Sequence, residues 1–269
     1  MERLGIYLYC FARAGLSQPI RAPGIGGRDT VTTLVAQNVA AIVSQVSLGE
    51  FEVHAAESGA QDPAWLIPRA CQHERVVEEA MRASPVLPVS FGAVFSSSDV
   101  LTQLLTDKVA VITQFLADIS DREEWAVKGF LDATEAGAWL SANDSALTEQ
   151  RKRMPTSSGA RYFHEKRLDA EVQRRVKGWA RSLAERIQAE LERGAADVCP
   201  LKLQPKARSG RDGEMVLNSA FLLRRQAVAP FQNQVKTLEA DCAAQGLTLE
   251  ASGPWPAYNF CPAIEVTEQ

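Results

Sequence analysis

Seven apolar residues, Leu168, Val172, Val176, Trp179, Leu183, Ile187 and Leu191, recur at spacings of 4, 4, 3, 4, 4 and 4. That period is one face of an α-helix, and it predicts a long helix over residues 161–194. Strand patterns flank it. Residues 124–132 (EWAVKGFLD) read as a strand, Cys199, Leu201 and Leu203 alternate as a second, and EMVLNSAFLL reads as a third. Pro230 opens another helix with Phe231, Val235, Leu238 and Cys242 inward and Gly246 as its stop. LTLEASG closes the region with Leu247, Leu249 and Ala251 on one face. With a helical insert near residues 134–150 set aside, the order is β-α-β-β-α-β, the signature of a split βαβ, ferredoxin-like fold.

The first 120 residues read as a different α+β unit. RLGIYLYCFA hardly alternates and predicts a strand buried on both faces. Residues 30–46 are rich in β-branched residues and interrupted by Gln37-Asn38, which predicts a hairpin. Asp62-Pro63 reads as an N-cap and first helical position, and Leu66, Ala70, His73, Val77 and Ala80 form the helix stripe. Pro68 sits inside that stretch and predicts either an offset first turn or a regular helix that starts there. Ser98-Asp99 is expected to cap a further helix burying Leu101, Leu105, Ile112, Phe115, Leu116 and Ile119. The expected division is residues 1–120 as an N-terminal α+β domain and 121–254 as the ferredoxin-like domain, with its insert near 134–160. Residues 255–269 are left as an aromatic tail.

Between the first domain's two helices lies SPVLPVSFGAVFSS, residues 84–97. Proline cannot donate to a strand ladder, so Pro85 and Pro88 point to a strand at a sheet edge or margin, or to a strand end whose prolines block mispairing. Phe91-Gly92 is expected to turn the chain tightly into the next helix.

Catalytic and metal chemistry find little footing. The histidines are His54, His73 and His164, none paired at metal-ligand spacing, and there is no HExxH or Cys/His cluster. His73, on the apolar stripe, reads as a core histidine donating to a backbone carbonyl, with a buried base or a partner contact as the alternative. GIGG at residues 24–27 lacks a following Lys-Ser/Thr and reads as a turn. Five scattered cysteines suggest reduced core thiols in a cytosolic chain, and neither a signal peptide nor an 18-residue apolar run is expected. Net charge is -4, which argues against nucleic acid and anionic membranes as partners. The basic residues between Arg151 and Arg186 are interspersed with acids, the pattern of a solvated face. No cofactor is expected.

GPWPAYNF, residues 253–260, sets Trp255, Tyr258 and Phe260 around two prolines. Such a segment either hooks onto its own protein or is offered to a partner. The position of Gly253-Pro254, at the end of the last strand, predicts that Trp255 and Tyr258 fold back.

Together, WLIPRACQHERVV, PVLPVSFGAVF, EEWAVKGFLD, NSAFLLRR and GPWPAYNF, in that order and spread over nearly the whole chain, resemble the gas vesicle protein F/L family. The chain departs from that pattern at Ser90, where a basic residue is expected, and at Ala257 and Asn259. The resemblance implies two α+β domains, the second a modified ferredoxin-like fold, and no enzymatic activity. It implies a gas vesicle accessory protein that binds the hydrophobic shell subunit, works beside other accessory proteins and assists nucleation or assembly. The competing expectation is a permanent minor component of the vesicle wall; an RNA-binding ferredoxin-like protein is the outsider. Candidate structural or partner-contact residues are Trp65, His73, Pro88, Phe91, Gly92, Trp255, Tyr258 and Phe260.

Overall fold

β1 (Leu4–Arg13) is buried from Tyr7 through Ala12, as its unbroken apolar run predicts. The computed structural model describes residues 3–27, 29–51, 62–153 and 155–264. The chain divides into two units, one of Met1–Glu123 with Pro254–Gln269, the other of Glu124–Gly253. Residues 254–269 therefore group with the N-terminal unit.

In the first unit β2 (Thr32–Ala36) and β3 (Val39–Ser47) form the expected hairpin, and Gln37 takes the positive φ of 55° that the two-residue turn needs. The sheet runs β2-β3-β1-β4, where β4 is Val86–Pro88; β5 (Val94–Phe95) pairs further along the same side of β1. The 84–97 stretch is thus an edge strand broken in the middle, and Pro88 sits where no further strand needs its missing donor. Phe91-Gly92 turns into β5, not into a helix; Gly92 has φ 96°.

Both faces of this sheet are covered. α1 (Pro63–Ala83) packs over Tyr7, Tyr9, Cys10, Ala12, Ile42 and Val46. α2 (Ser98–Asp118) packs over Leu8, Phe11, Val39, Ala41 and Val43. Strict alternation would put Tyr9 and Phe11 on one face. A bulge between Leu8 and Cys10 resets the parity, so Tyr9 and Cys10 both face α1 while Leu8 and Phe11 face α2.

Three readings of these helices change. α1 runs through Pro68 without restarting, and its buried set includes Val76 while Leu66 is only half-buried. The N-cap of α2 is Ser97, whose side chain accepts from Val100 N–H. α2 is also long and apolar enough by composition to cross a membrane, with a mean hydropathy of 1.2 over 18 residues. Here its Leu101, Leu105, Ile112 and Leu116 are spent on the sheet.

The second unit has β6 (Arg122–Leu131), α3 (Ala133–Asn143), α4 (Ser145–Lys152), α5 (Ser158–Glu192), β7 (Asp197–Pro200), β8 (Glu214–Arg224), α6 (Val228–Cys242) and β9 (Leu247–Trp255). Its sheet order is β7-β8-β6-β9, with the first and third strands central, as a ferredoxin-like fold requires. α3 and α4 are the insert, each started by an aspartate, Asp132 and Asp144, accepting from two backbone N–H groups. Arg151 and Lys152 belong to α4, and α5 already starts at Ser158, ahead of the expected residue 161. On α5 the fully buried residues begin at Val176; Leu168, Val172 and Trp179 are only partly buried, at the margin of the core. β7 starts and ends earlier than expected, which leaves Leu203 exposed, and Ala251 is exposed as well.

Candidate functional site

Two tyrosines in an otherwise apolar strand carry hydroxyls that must be satisfied inside the core. Tyr7 and Tyr9 both face α1 with ring centroids 4.9 Å apart, and His73 of α1 meets both rings at 5.8 and 5.6 Å. Phe91 closes the cluster at 6.2 Å from Tyr7 and 6.0 Å from His73. Tyr7 and Tyr9 are not among the residues the sequence singles out; their one signal in it is the pair of hydroxyls in IYLYCF.

The polar atoms join into one directed chain. Gly92 N–H donates to the Tyr7 hydroxyl at 3.0 Å, and that hydroxyl lies 2.9 Å from His73 Nδ1. His73 Nε2 is 3.2 Å from the Tyr258 hydroxyl, which donates to Glu74 Oε1 at 2.9 Å. Because the carboxylate can only accept, Tyr258 spends its proton there and accepts from Nε2–H; Nδ1 then accepts from Tyr7. Along this chain Tyr7, His73 and Tyr258 each donate once and accept once, between a donor, Gly92 N–H, and an acceptor, Glu74, with a neutral imidazole at the centre. Burial favours that state and pushes the His73 pKa down to about 4, opposed in part by the Val89 carbonyl. Burial likewise raises Tyr7, Tyr258 and Glu74, and donation from Tyr258 pulls the last partly back. Tyr9 is satisfied separately, by Ser44 Oγ at 2.8 Å and Ile25 N–H at 2.7 Å. That bond explains the GIGG turn, which folds against a tyrosine hydroxyl.

This chain of bonds ties together β1, α1, the Phe91-Gly92 turn and the C-terminal segment. It holds a neutral base with no open position beside it, which is the chemistry of a structural clamp. Of the residues singled out by sequence, His73, Phe91, Gly92 and Tyr258 come together here. Pro88 lies on β4, where the Cys261 thiol points to its carbonyl. Trp65 stands apart on α1: its indole donates to Glu50 Oε1 at 2.9 Å, Arg69 stacks over it at 4.5 Å, and Arg69 also pairs with Glu50.

The tail expectation is corrected in part. Tyr258 folds back, Pro256 and Ala257 are buried, and Cys261 and Ile264 pack on the α2-side core. Trp255, expected to be the hook, remains 42% exposed at the end of β9, and Phe260 is half-buried. The rigid proline between Trp255 and the anchored Ala257-Tyr258 step sends the two aromatics different ways. The cysteine expectation also changes: all five are free, but only Cys10 and Cys242 are buried, and Cys71 is exposed. His54 lies outside the described residues. Among the described residues no group of three His, Cys, Asp or Glu is placed to hold a metal.

A second feature is the far edge of the same sheet. Among the described residues β2 pairs with β3 alone, so its outer side is open. Thr33 and Val35 are exposed there, Val35 at 53%. Beside them runs a groove of about 440 Å³ lined by Leu16, Pro19, Ile20, Val31 and Val35, with no charged residue in its wall. The two edges differ sharply: β4 is short, carries proline and is broken by a turn, whereas β2 has none of these protections.

The model of the Gas vesicle synthesis protein GvpL/GvpF family matches residues 5–262. Gas vesicle protein L of a Streptomyces species is 27% identical over 92% of this chain and 88% of its own length. Gas vesicle protein F of a Streptomyces species is 26% identical over 96% and 99%. Gas vesicle protein L2 of Halobacterium salinarum is 26% identical over 97% and 92%. Crystal structures of GvpF from Anabaena and from Microcystis aeruginosa superpose with TM-scores of 0.66 and 0.65 at 21% and 19% identity. They cover 96% of this chain and 98–99% of their own, and they share its fold. Relatives named L and F match at nearly equal identity, so what the comparison identifies is the family they share. With two α+β units, the second in ferredoxin-like strand order, and a family match from residue 5 to residue 262, the chain belongs to the GvpL/GvpF family of gas vesicle proteins.

Proposed function

We propose that this chain binds the hydrophobic shell subunit of the gas vesicle, covers its adhesive surface, and delivers it during nucleation or growth of the vesicle alongside other accessory proteins. The observation that carries the reading is the asymmetry of the first unit's sheet. One edge is blunted by proline and a turn; the other is open, uncharged and flanked by an apolar groove. A subunit made to polymerise carries apolar faces and strand edges that aggregate before assembly. An open β2 edge can take an extended segment of such a subunit by strand addition, with Thr33 and Val35 facing its side chains. In this reading His73, Phe91, Gly92 and Tyr258 hold the frame, and the exposed Trp255 is a further contact.

Co-expression with the shell subunit tests it. The parent chain is expected to move shell subunit from pellet to supernatant, and Val35→Lys, which places a charge on the open edge, is expected to abolish that shift without lowering stability. An unchanged partition with the parent chain would defeat the carrier reading. If the chain instead stays on purified vesicles through a urea wash, it is a resident of the wall.

A further inference from the structure

α5 is 35 residues long, yet its buried residues begin at Val176. Its first half therefore runs as about four to five turns of helix with no fully buried side chain. Two neighbouring aromatics stand open on it, Tyr162 at 57% and Phe163 at 70% exposure, packed edge to face at 5.7 Å. α4 is fastened alongside: Gln150 carbonyl meets His164 Nε2 at 3.0 Å, and Arg175 pairs with Asp144 at 2.5 Å. The end of α4, with Arg151, Lys152 and Arg153, is thereby brought to the stretch of α5 that carries Arg161, Lys166 and Arg167.

The structure also sorts the charges that look evenly mixed in sequence. Glu171 is held by Arg174 and Arg175, Asp144 by Arg175, and Glu149 by Lys152. Arg151, Arg153, Arg161, Lys166 and Arg167 have no carboxylate partner among the described residues, and Glu165 and Asp169 are the uncommitted acids of the same stretch. The surface is thus cationic on a chain whose net charge is -4. Lys166 and Arg167 follow Tyr162 and Phe163 by four residues each, so each aromatic has a cation one turn along; Lys166 Nζ lies 6.0 Å from the Tyr162 ring.

We propose that the exposed face of the first half of α5, centred on Tyr162 and Phe163, is a docking surface for an acidic amphipathic helix of a partner protein. The charge surplus calls for carboxylates. The apolar centre calls for aliphatic side chains, and rows of side chains spaced four apart match the ridges of another helix. Single-stranded nucleic acid fits less well, because the edge-to-face contact and the Lys166 ammonium each take up part of the ring surface on which bases would stack. The surface belongs to the second unit and does not depend on the strand-addition reading of the first.

The full-length chain should be titrated by fluorescence anisotropy against a labelled 18-residue helical peptide with leucine on one face and glutamate flanking it, and against its lysine counterpart. The glutamate peptide is expected to bind, more weakly as salt rises. Tyr162→Ser with Phe163→Ser should weaken it at least tenfold, and Lys166→Glu with Arg167→Glu should shift preference to the lysine peptide. Both variants alter exposed residues and should melt with the parent, while Val35→Lys should bind the peptide normally, which separates this test from that of the shell subunit. No binding of the glutamate peptide, or binding indifferent to both double variants, overturns the proposal. So does tighter binding of phosphatidylserine vesicles or poly(U) that the same variants abolish, since the surface would then serve lipid or RNA.

Discussion

Tyr258 and Trp255 are three residues apart, yet their expected contributions differ because Tyr258 is bonded within the clamp while Trp255 is largely exposed. Tyr258→Phe removes a hydroxyl that accepts from His73 and donates to Glu74, leaving a buried donor unsatisfied at a cost of about 1–3 kcal/mol. Trp255→Ala, at a site 42% exposed, should cost less than about 1.5 kcal/mol. Urea denaturation of the two variants checks the order. His73 gives the clamp a pH dependence. Its folded pKa of about 4 lies below the unfolded 6.5, so the unfolded chain binds more protons between those values. Stability from this group is complete above about pH 6.5 and falls as pH drops towards 4, by up to about 3 kcal/mol. Glu74 acts with the opposite sign: its folded pKa is raised, so its contribution is complete in acid and is lost as pH rises through that value. Glu74→Gln, which can still accept from Tyr258, should therefore steepen the acid loss, and His73→Gln should flatten it. Urea midpoints measured from pH 4 to 7 decide both.

Among the elements, the broken edge strand and the long helix carry separable predictions. Gly92 has open space where a Cβ would sit but a φ of 96°, so Gly92→Ala should cost about 1–2 kcal/mol through the backbone alone. Gly49, with equal space and no positive φ, makes the control. On α5 the sequence stripe is uniform but burial is not. Ile187→Ala, at 1% exposure, should cost about 2–5 kcal/mol, and Leu168→Ala, only packed against the core margin, clearly less. Calorimetric melting of the pair would show whether α5 is anchored only from Val176 onward.

For the whole molecule, the chain's end belongs to the unit at its beginning. Deleting residues 256–269 removes Tyr258 from His73, and Cys261 and Ile264 from the α2-side core, while the strands and helices of Glu124–Gly253 keep their own core. Hydrogen exchange of the truncated chain should show protection lost in β1 and α1 and retained in β8 and α6. Equal loss in both units would mean that the tail stabilises the chain by some route other than the clamp.

Local pattern was enough for much of this protein. Asp62-Pro63 starts α1, Gln37-Asn38 turns the hairpin, Gly246 stops the region after α6, and Val176, Leu183, Ile187 and Leu191 are buried as their spacing predicts. Each is a short-range rule, a cap, a turn or a period, acting within a few residues. The resemblance carried by five short motifs likewise led to the right family. What pattern could not supply were relations between distant residues. Nothing near Tyr258 in the chain indicates that its hydroxyl will lie between His73 and Glu74, some 185 positions away. Nor does the unbroken apolar run IYLYCF foretell a bulge that turns Tyr9 and Cys10 to one face. The mixed charges from Arg151 to Arg186 read as a solvated face until the folded helices paired Glu149, Asp144 and Glu171 with particular cations and left other cations without a carboxylate. Hydrogen bonds and ion pairs are decided by which groups lie within about 3–4 Å, and only the folded chain sets those distances.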